Sequence, residues 1–202
     1  MSSGPLWVVK LGGSLLELED LPARLRNWRA RQVSAAMLLV VGGGRGADGI
    51  RELDSRFQLG EATSHEACLH VLEANARAVA GLFPEARLVG SPEKLKSHLP
   101  QAENGLWIAR PRRWLRKISA PLPSCWSVTS DSIAAHFARE LGAEQLVLLK
   151  SADPPQPANP HAWAAAGYVD AYFPQAAAGL RIEAVNLRSE QALPLGSASL
   201  PT

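Results

Sequence analysis

The chain has 202 residues and a mass of 21.6 kDa, which suits one large domain or two very small ones. Hydrophobic residues make up 47% and charged residues 20%, and this composition excludes a wholly disordered chain. The 21 basic and 19 acidic side chains leave a net charge of +2, so the chain lacks the strong basic field of a dedicated nucleic-acid binder.

The cysteines and the hydropathy of the chain indicate the cellular compartment in which the protein works. Cys68 and Cys125 are far apart in the sequence, so they form neither a Cys-x-x-C site nor a disulfide framework. The longest aliphatic run, residues 35–41, is far shorter than a membrane span, and residues 1–5 lack the regions of a signal peptide. We therefore expect a cytoplasmic protein with no membrane partner.

The first half of the chain alternates apolar runs with helical patterns. The runs Leu6–Leu11 and Ala36–Val41 predict two buried strands, each followed directly by glycines. Apolar residues at helical spacing predict helices over 21–32, 47–57 and 63–83.

The second half is less regular. Its predicted strands are at 88–89, 106–109, 126–129, 145–149 and 181–185. We also predict a helix over 130–141, a loop at 153–160 and a frayed tail at 196–202. Ser130 is the predicted N-cap of that helix, Gly142 ends it, and four prolines in eight residues enforce the loop. Strands separated by helices predict an α/β fold with a mainly parallel sheet covered on both faces.

The segment Lys10-Leu-Gly-Gly-Ser14 follows the first strand. Its two glycines allow a sharp turn with backbone N–H groups free to face an anion, Lys10 adds a charge, and Ser14 can cap the next helix. The alternative is an ordinary strand-to-helix turn with a surface lysine.

Gly42-Gly43-Gly44 follows the second strand in the same way. Three glycines exceed what a simple turn needs and indicate close approach of the backbone to a ligand, although tight packing alone is the alternative. Neither G-x-G-x-x-G nor G-x-x-x-x-G-K-[ST] occurs, which excludes the dinucleotide fingerprint and the ordinary P-loop.

Thr129-Ser130-Asp131-Ser132 is a third polar segment at a strand end. These residues either only cap the following helix, or Asp131 orients a lysine beside a transferring phosphate. In an α/β chain the three segments would lie along one edge of the sheet.

Together these motifs resemble those of the amino acid kinase superfamily, which includes acetylglutamate, carbamate, aspartate, uridylate and isopentenyl phosphate kinases. The matching strings are V-V-K-L-G-G-S-L at 8–15, V-V-G-G-G at 40–44, W-S-V-T-S-D-S at 126–132 and L-V-L-L-K-S at 146–151. Within the superfamily the chain most resembles the aminomethylfuran phosphate kinase of methanofuran biosynthesis and its bacterial relatives in one-carbon metabolism. The resemblance extends over about residues 7–186.

The resemblance implies one domain over 1–202, a three-layer αβα sandwich with an acceptor-side part at about 1–144 and a reduced nucleotide-side part at about 145–195. It implies phosphoryl transfer from ATP to a small acceptor, with Mg²⁺ carried on the nucleotide and no metal ligands from the protein. In the nearest subfamily the acceptor is a phosphate monoester. A homo-oligomer is expected, because the long helix at 63–83 commonly supports assembly in this superfamily.

The resemblance also implies residue roles. Lys10 would neutralise the transferring phosphoryl group, Asp131 would hold that lysine, and Gly12 and Gly13 would donate backbone N–H bonds. The other implied site residues are Ser14, Gly43 and Gly44 for phosphate, then Gly42, His65, Arg113, Trp126, Thr129, Ser130 and Asp170 for the acceptor, and Lys150, Ser151 and Asp153 for the nucleotide.

Two stretches depart from the pattern. Many members carry a second catalytic lysine in a late helix, but the corresponding residues 175–179 read Q-A-A-A-G, and the nucleotide loop that often reads T-D-V-D-G is K-S-A-D-P at 150–154. Lys150 and Arg181 are the candidates for the missing charge, although spacing favours neither. The alternatives to a phosphomonoester kinase are therefore a degenerate protein that binds a nucleotide or metabolite without catalysis, and a kinase of another acceptor such as a nucleoside monophosphate.

Several candidates keep a second interpretation. His65 is a capping or surface histidine or an acceptor contact, Asp170 is an acceptor contact or a turn residue, and Trp126 is core filler or part of the site. Five basic residues in eight at 110–117 favour a solvated face, or binding of an anionic acceptor through Arg113, over a nucleic-acid arm.

Overall fold

The computed structural model describes residues 5–32, 35–101, 104–117 and 122–189, so the tail predicted at 196–202 lies outside the described residues. Within these ranges the strands are β1 Leu6–Leu11, β2 Ala36–Val41, β3 Arg87–Val89, β4 Leu106–Ala109, β5 Gln145–Lys150 and β6 Ile182–Asn186. The helices are α1 Leu21–Ala30, α2 Gly44–Phe57, α3 Glu61–Leu82, α4 Pro92–His98, α5 Pro111–Leu115, α6 Ser130–Leu141, α7 Pro160–Ala165 and α8 Phe173–Ala176, with 3-10 turns at Gly13–Glu17 and Leu99–Gln101.

The strands form one parallel sheet in the order β3-β4-β2-β1-β5-β6. The central strand β1 pairs with β2 from Leu6 opposite Ala36 and with β5 from Trp7 opposite Gln145. Every residue of β1 and β2 is buried, as expected for parallel strands covered on both faces. The α/β fold class predicted from the sequence is confirmed.

Two hydrophobic cores cover the two faces of the sheet. Alternate residues of β1 divide between them, with Val8 packing in the core under α6 and Val9 in the core under α1. The helix α3 contributes to both, through Leu69 in its first half and Val79 in its second. These cores hold the sheet rigid under the edge where β1, β2 and β5 end.

The predicted strand at 126–129 is wrong. These residues form a turn and an extended entry to α6, because their hydrogen bonds go to a local turn, to the backbone of Tyr172 and to side chains instead of a neighbouring strand. The indole Nε1 of Trp126 donates to Asp54 Oδ2 at 2.7 Å, and the backbone N–H of Thr129 donates to Asp170 Oδ2 at 3.0 Å.

Other differences concern element boundaries. The helix predicted over 47–57 begins earlier, at Gly44, so the third glycine already belongs to its first turn. The proline-rich loop ends at Asn159, whose side chain accepts a hydrogen bond from Ala162 N and caps α7. None of the helices in the described ranges is both long enough and apolar enough to cross a membrane.

Candidate active site

A buried cluster of three charged side chains lies where β1 and β5 end. Lys10, the next-to-last residue of β1, places its Nζ 2.9 Å from Asp131 Oδ1. Lys150, the last residue of β5, places its Nζ 2.9 Å from the other carboxylate oxygen, Oδ2. The contact between Lys10 and Asp131 that the resemblance implies is therefore present, and Lys150 is a third member.

The charges in this cluster shift its pKa values. Burial raises the pKa of the Asp131 carboxyl, but the ammonium groups of Lys10 and Lys150 outweigh it, so the pKa lies below its ordinary value. Burial, together with the nearby charge of Lys10, lowers the pKa of Lys150 to about 8. With both lysines protonated, two positive charges face one negative charge, and the cluster carries a net charge suited to an anion.

Tyr168 completes the surroundings of Lys150. Its backbone carbonyl accepts a hydrogen bond from Lys150 Nζ at 2.6 Å, and its ring centroid lies 5.1 Å from the same atom. Burial raises the pKa of the Tyr168 hydroxyl to about 12. Lys150, which the resemblance assigned to the nucleotide, is thus held inside the cluster.

The start of α6 positions Asp131. The side chain of Thr129 accepts from the backbone N–H of Asp131, and Asp170 Oδ2 accepts from both the N–H and the hydroxyl of Thr129. Asp170 also accepts from the N–H and the hydroxyl of Ser132. The N-cap of α6 is therefore Thr129 and not Ser130 as predicted, and Asp170 supports this cap through four bonds that engage both of its carboxylate oxygens.

The two glycine turns pack directly against each other. A Cβ on Gly13 would lie 2.1 Å from the backbone nitrogen of Gly44, whose φ is +52°. Asn75 of α3 fixes the second turn, because its Nδ2 donates to the carbonyls of Gly42 and Gly43 at 2.8 and 3.0 Å. Only residues without a side chain allow this approach.

Helix starts follow both turns. The 3-10 turn begins at Gly13 and α2 begins at Gly44, and neither has a side-chain hydrogen bond at its N-cap. The first N–H groups of a helix have no acceptor within the helix. They are available to an anion beside the lysine cluster.

A pocket of about 240 Å³ opens beside these turns. Its lining includes the predicted site residues Gly13, Ser14, Gly43, Gly44, His65, Trp126, Thr129 and Ser130. Apolar walls come from Leu69, Leu72, Val128 and Ile133, and the remaining lining residues are Ala47, Asp48, Arg51 and Cys68. Burial lowers the pKa of the His65 imidazole, which favours its neutral form.

Arg113 lies elsewhere. It is not among the lining residues of this pocket, and its side chain packs so close to Gly90 that a Cβ there would lie 3.0 Å from its Cδ. Its predicted contact with the acceptor remains a prediction without support from the pocket geometry.

The basic segment at 110–117 does not line the pocket, and it is a solvated face only in part. Arg113, Arg116 and Lys117 are exposed, whereas Arg110 and Arg112 are partly buried. Arg110 pairs with Glu73 of α3 at 2.5 Å, and Arg112 pairs with Glu66 at 2.7 Å. Trp114, buried completely, donates its indole N–H to Glu140 at 2.9 Å. These contacts fasten α5 to α3 and α6.

Ser151 and Asp153, which the resemblance assigns to the nucleotide, make fewer contacts than the residues of the charged cluster. The hydroxyls of Ser151 and Ser14 lie 2.9 Å apart and join the ends of β5 and β1. Asp153 Oδ1 accepts from Asn186 at 3.1 Å. The other candidate for the missing charge, Arg181, lies at the opposite edge of the sheet, because its carbonyl accepts from the N–H of Leu146 near the start of β5.

Sequence reasoning did not single out Asp48, Arg51, Asn75 or Tyr168. The first two could have been found from their helical spacing behind the glycines, which places both on one face of α2 with Gly44. Tyr168 lies far from the motifs along the sequence, so no pattern in the sequence marked it as part of the site.

Solved structures similar to this chain include a uridylate kinase, which is a UMP kinase, and two further UMP kinases. The Archaeoglobus fulgidus enzyme has a TM-score of 0.52 and 18% identity over 73% of this chain and 63% of its own. The Ureaplasma parvum enzyme has a TM-score of 0.55 and 13% identity over 75% and 71%, and the Bacillus anthracis enzyme 0.54 and 14% over 77% and 71%.

This chain thus spans less than two thirds of the length of the Archaeoglobus fulgidus kinase. No protein-family model and no curated protein matches the sequence. UMP kinases belong to the amino acid kinase superfamily, and the chain shares their α/β fold.

Proposed function

We propose that this protein is a phosphotransferase that carries the γ-phosphoryl group of ATP to a small acceptor. The observation that carries the proposal is the buried Lys10–Asp131–Lys150 cluster beside two uncapped glycine turns and a pocket. Ligands of open α/β sheets bind at the carboxyl ends of the strands, which is where these groups lie.

The chain's own residues divide the work. The backbone N–H groups at Gly13 and Gly44 donate to phosphoryl oxygens, and Lys10 and Lys150 neutralise the negative charge on them. Asp131 lies 2.9 Å from both ammonium groups and so fixes the position of their positive charges. Phosphoryl transfer depends mainly on positioning and charge stabilisation, so this set needs no protein nucleophile.

The residues present fit the phosphate end of ATP, since ammonium groups and free helix N–H groups are its usual protein partners. The Mg²⁺–nucleotide complex would supply the phosphoryl group and neutralise part of its charge. The described ranges contain no group of three or more carboxylates, histidines or cysteines able to hold a metal ion, and Asp131 is engaged by two lysines. We propose that Mg²⁺ is carried mainly by the phosphates, as is common for this ion.

The pocket is the proposed acceptor site. Its volume of about 240 Å³ restricts the acceptor to a small molecule. We propose an aminomethylfuran phosphate-like phosphomonoester as the first candidate, in one-carbon cofactor biosynthesis. UMP, the nucleotide after which the similar kinases are named, is the second candidate.

The test is ATP turnover with Mg²⁺ and a panel of phosphomonoesters and carboxylates. We expect turnover with at least one acceptor, and a loss of at least a hundredfold in Lys10→Met, which keeps the aliphatic volume of the side chain but removes its charge. The exposed Lys96 provides the control, and Lys96→Met should keep the rate of the original chain.

Two other outcomes would count against the proposal. If the chain binds ATP but turns over no acceptor, the alternative of a non-catalytic nucleotide-binding protein is favoured. If it binds no ATP, both are wrong. Far-ultraviolet circular dichroism of Lys10→Met separates loss of chemistry from loss of fold.

A further inference from the structure

We infer that Arg51 recognises an oxyanion of the acceptor, and that Trp126 holds its guanidinium in place. The inference rests on the proposed function, since it names the charge by which the pocket selects its substrate class. Of the described residues that line the pocket, Arg51 is the one lysine or arginine.

The position of Arg51 follows from the helix that carries it. It lies seven residues after Gly44 on α2, so its Cα is about 10 Å along the helix axis from the glycine turn. Gly44, Asp48 and Arg51 all line the pocket, and helix side chains tilt back toward the N-terminus. Its guanidinium is therefore placed to bind a ligand that extends from the glycine turns along α2.

An aromatic ring supports the guanidinium. Arg51 Cζ lies 5.3 Å from the ring centroid of Trp126, and the indole is fixed in turn by its hydrogen bond to Asp54 at 2.7 Å. The Arg51 side chain is half exposed, and a cation–π contact restricts a side chain that would otherwise be flexible there. Trp126 thus orients Arg51 before a ligand arrives.

Asp48 occupies one edge of the guanidinium and leaves another open. Its Oδ1 lies 2.6 Å from Nη1 of Arg51. Within the described ranges, no hydrogen-bond partner is found for Nε or Nη2 of Arg51. A planar guanidinium with two free donors matches the geometry of a carboxylate or a phosphate.

Anion binding can be measured without turnover. We would titrate the protein with inorganic phosphate and, separately, with acetate, at ionic strength held constant with chloride. Tryptophan fluorescence reports the binding, and Trp126→Phe identifies the signal of the ring beneath Arg51. We expect Arg51→Met to weaken the binding of at least one probe about ten- to a hundredfold. Tighter binding of phosphate than of acetate would indicate a phosphorylated acceptor, and tighter binding of acetate a carboxylated one.

Two variants separate recognition from a merely structural ion pair. Asp48→Asn removes the competing carboxylate, so it should leave anion binding unchanged or tighten it. If Arg51 served only to pair with Asp48, both variants would change anion binding equally and the inference would be wrong. Arg56→Met, exposed on the same helix, is the matched control and should bind as the original chain does.

Kinetics provide a second readout. Arg51→Met should raise the KM of the acceptor at least tenfold while the KM of ATP changes less than twofold. Turnover with an unchanged acceptor KM would overturn the inference and leave the proposed function standing. Anion binding that depends on Arg51 in a chain without any turnover would support the anion site and contradict the proposed function.

Discussion

Lys150 Nζ lies 2.9 Å from Oδ2 of Asp131, whose other carboxylate oxygen is at the same distance from Lys10 Nζ. One buried carboxylate thus binds two ammonium groups from adjacent parallel strands. The side chains are only 6–13% exposed, so water screens their charges weakly. The pair of lysines is therefore electrostatically costly wherever Asp131 does not compensate it.

The stability of the protein should depend on pH through Lys150. Its pKa falls from 10.5 to about 8 on folding. Between these values the folded protein has released this proton while the unfolded chain retains it, so the free energy of unfolding rises with pH. Urea denaturation from pH 7 to pH 10.5 should show a contribution of about 3 kcal/mol from this group.

The difference between the original chain and Lys150→Met isolates that contribution, because other groups titrate in the same range. Burial raises the pKa of Cys68, for example, which makes stability fall at high pH in both proteins. Lys96→Met should retain the full pH dependence. An identical slope in Lys150→Met and the original chain would contradict the prediction.

Asp131→Asn should destabilise the fold by about 3–5 kcal/mol, because it leaves two buried ammonium groups without their counter-charge. Chemical denaturation at pH 7 measures this loss. Adding Lys150→Met to the variant should recover part of the stability, since it removes one of the two uncompensated charges. A loss below about 0.5 kcal/mol, or no recovery in the double variant, would show that Asp131 does not compensate the lysines.

The sheet could be predicted because buried parallel strands leave a simple record in the sequence. Runs such as Leu6–Leu11 and Ala36–Val41 are continuously apolar, and the glycines after them mark the strand ends. The prediction of a strand at 126–129 was wrong because it rested on the sequence pattern alone. Trp126 and Val128 alternate with polar residues as in a strand, but their segment is fixed by the distant side chains Asp54 and Asp170.

The site was predictable only where a local motif marked it. Lys10 and Asp131 belong to recognisable segments, and their contact follows from the parallel order of the strands. Arg51 and Arg113 show the limit. Arg51 lies in a predicted helix and Arg113 in a basic cluster, and only the three-dimensional packing shows that Arg51 lines the pocket while Arg113 packs against Gly90.

Gly13→Ala should disrupt the paired glycine turns. The added Cβ would meet the backbone nitrogen of Gly44 at 2.1 Å, and neither backbone can move without shifting the start of α2. We expect a loss of at least about 2 kcal/mol in unfolding free energy, at the upper range of steric substitutions. Gly49→Ala is the matched control, since a Cβ there meets nothing within 4 Å, and this helix position should gain about 0.5–1 kcal/mol. Equal effects of the two variants in urea denaturation would refute the steric explanation.

The ion pair between Arg110 and Glu73 should contribute more to stability than its exposed neighbour. Arg110 is 21% and Glu73 12% exposed, so Arg110→Ala leaves a largely buried carboxylate and should cost about 1–3 kcal/mol. Arg77 binds the same Glu73 oxygen at 3.4 Å but is 59% exposed, and Arg77→Ala should cost less than about 0.5 kcal/mol. Amide hydrogen exchange in α5 should rise only in Arg110→Ala, because that pair fastens α5 to α3. Equal exchange in the two variants would mean that Trp114 holds α5 without the ion pair.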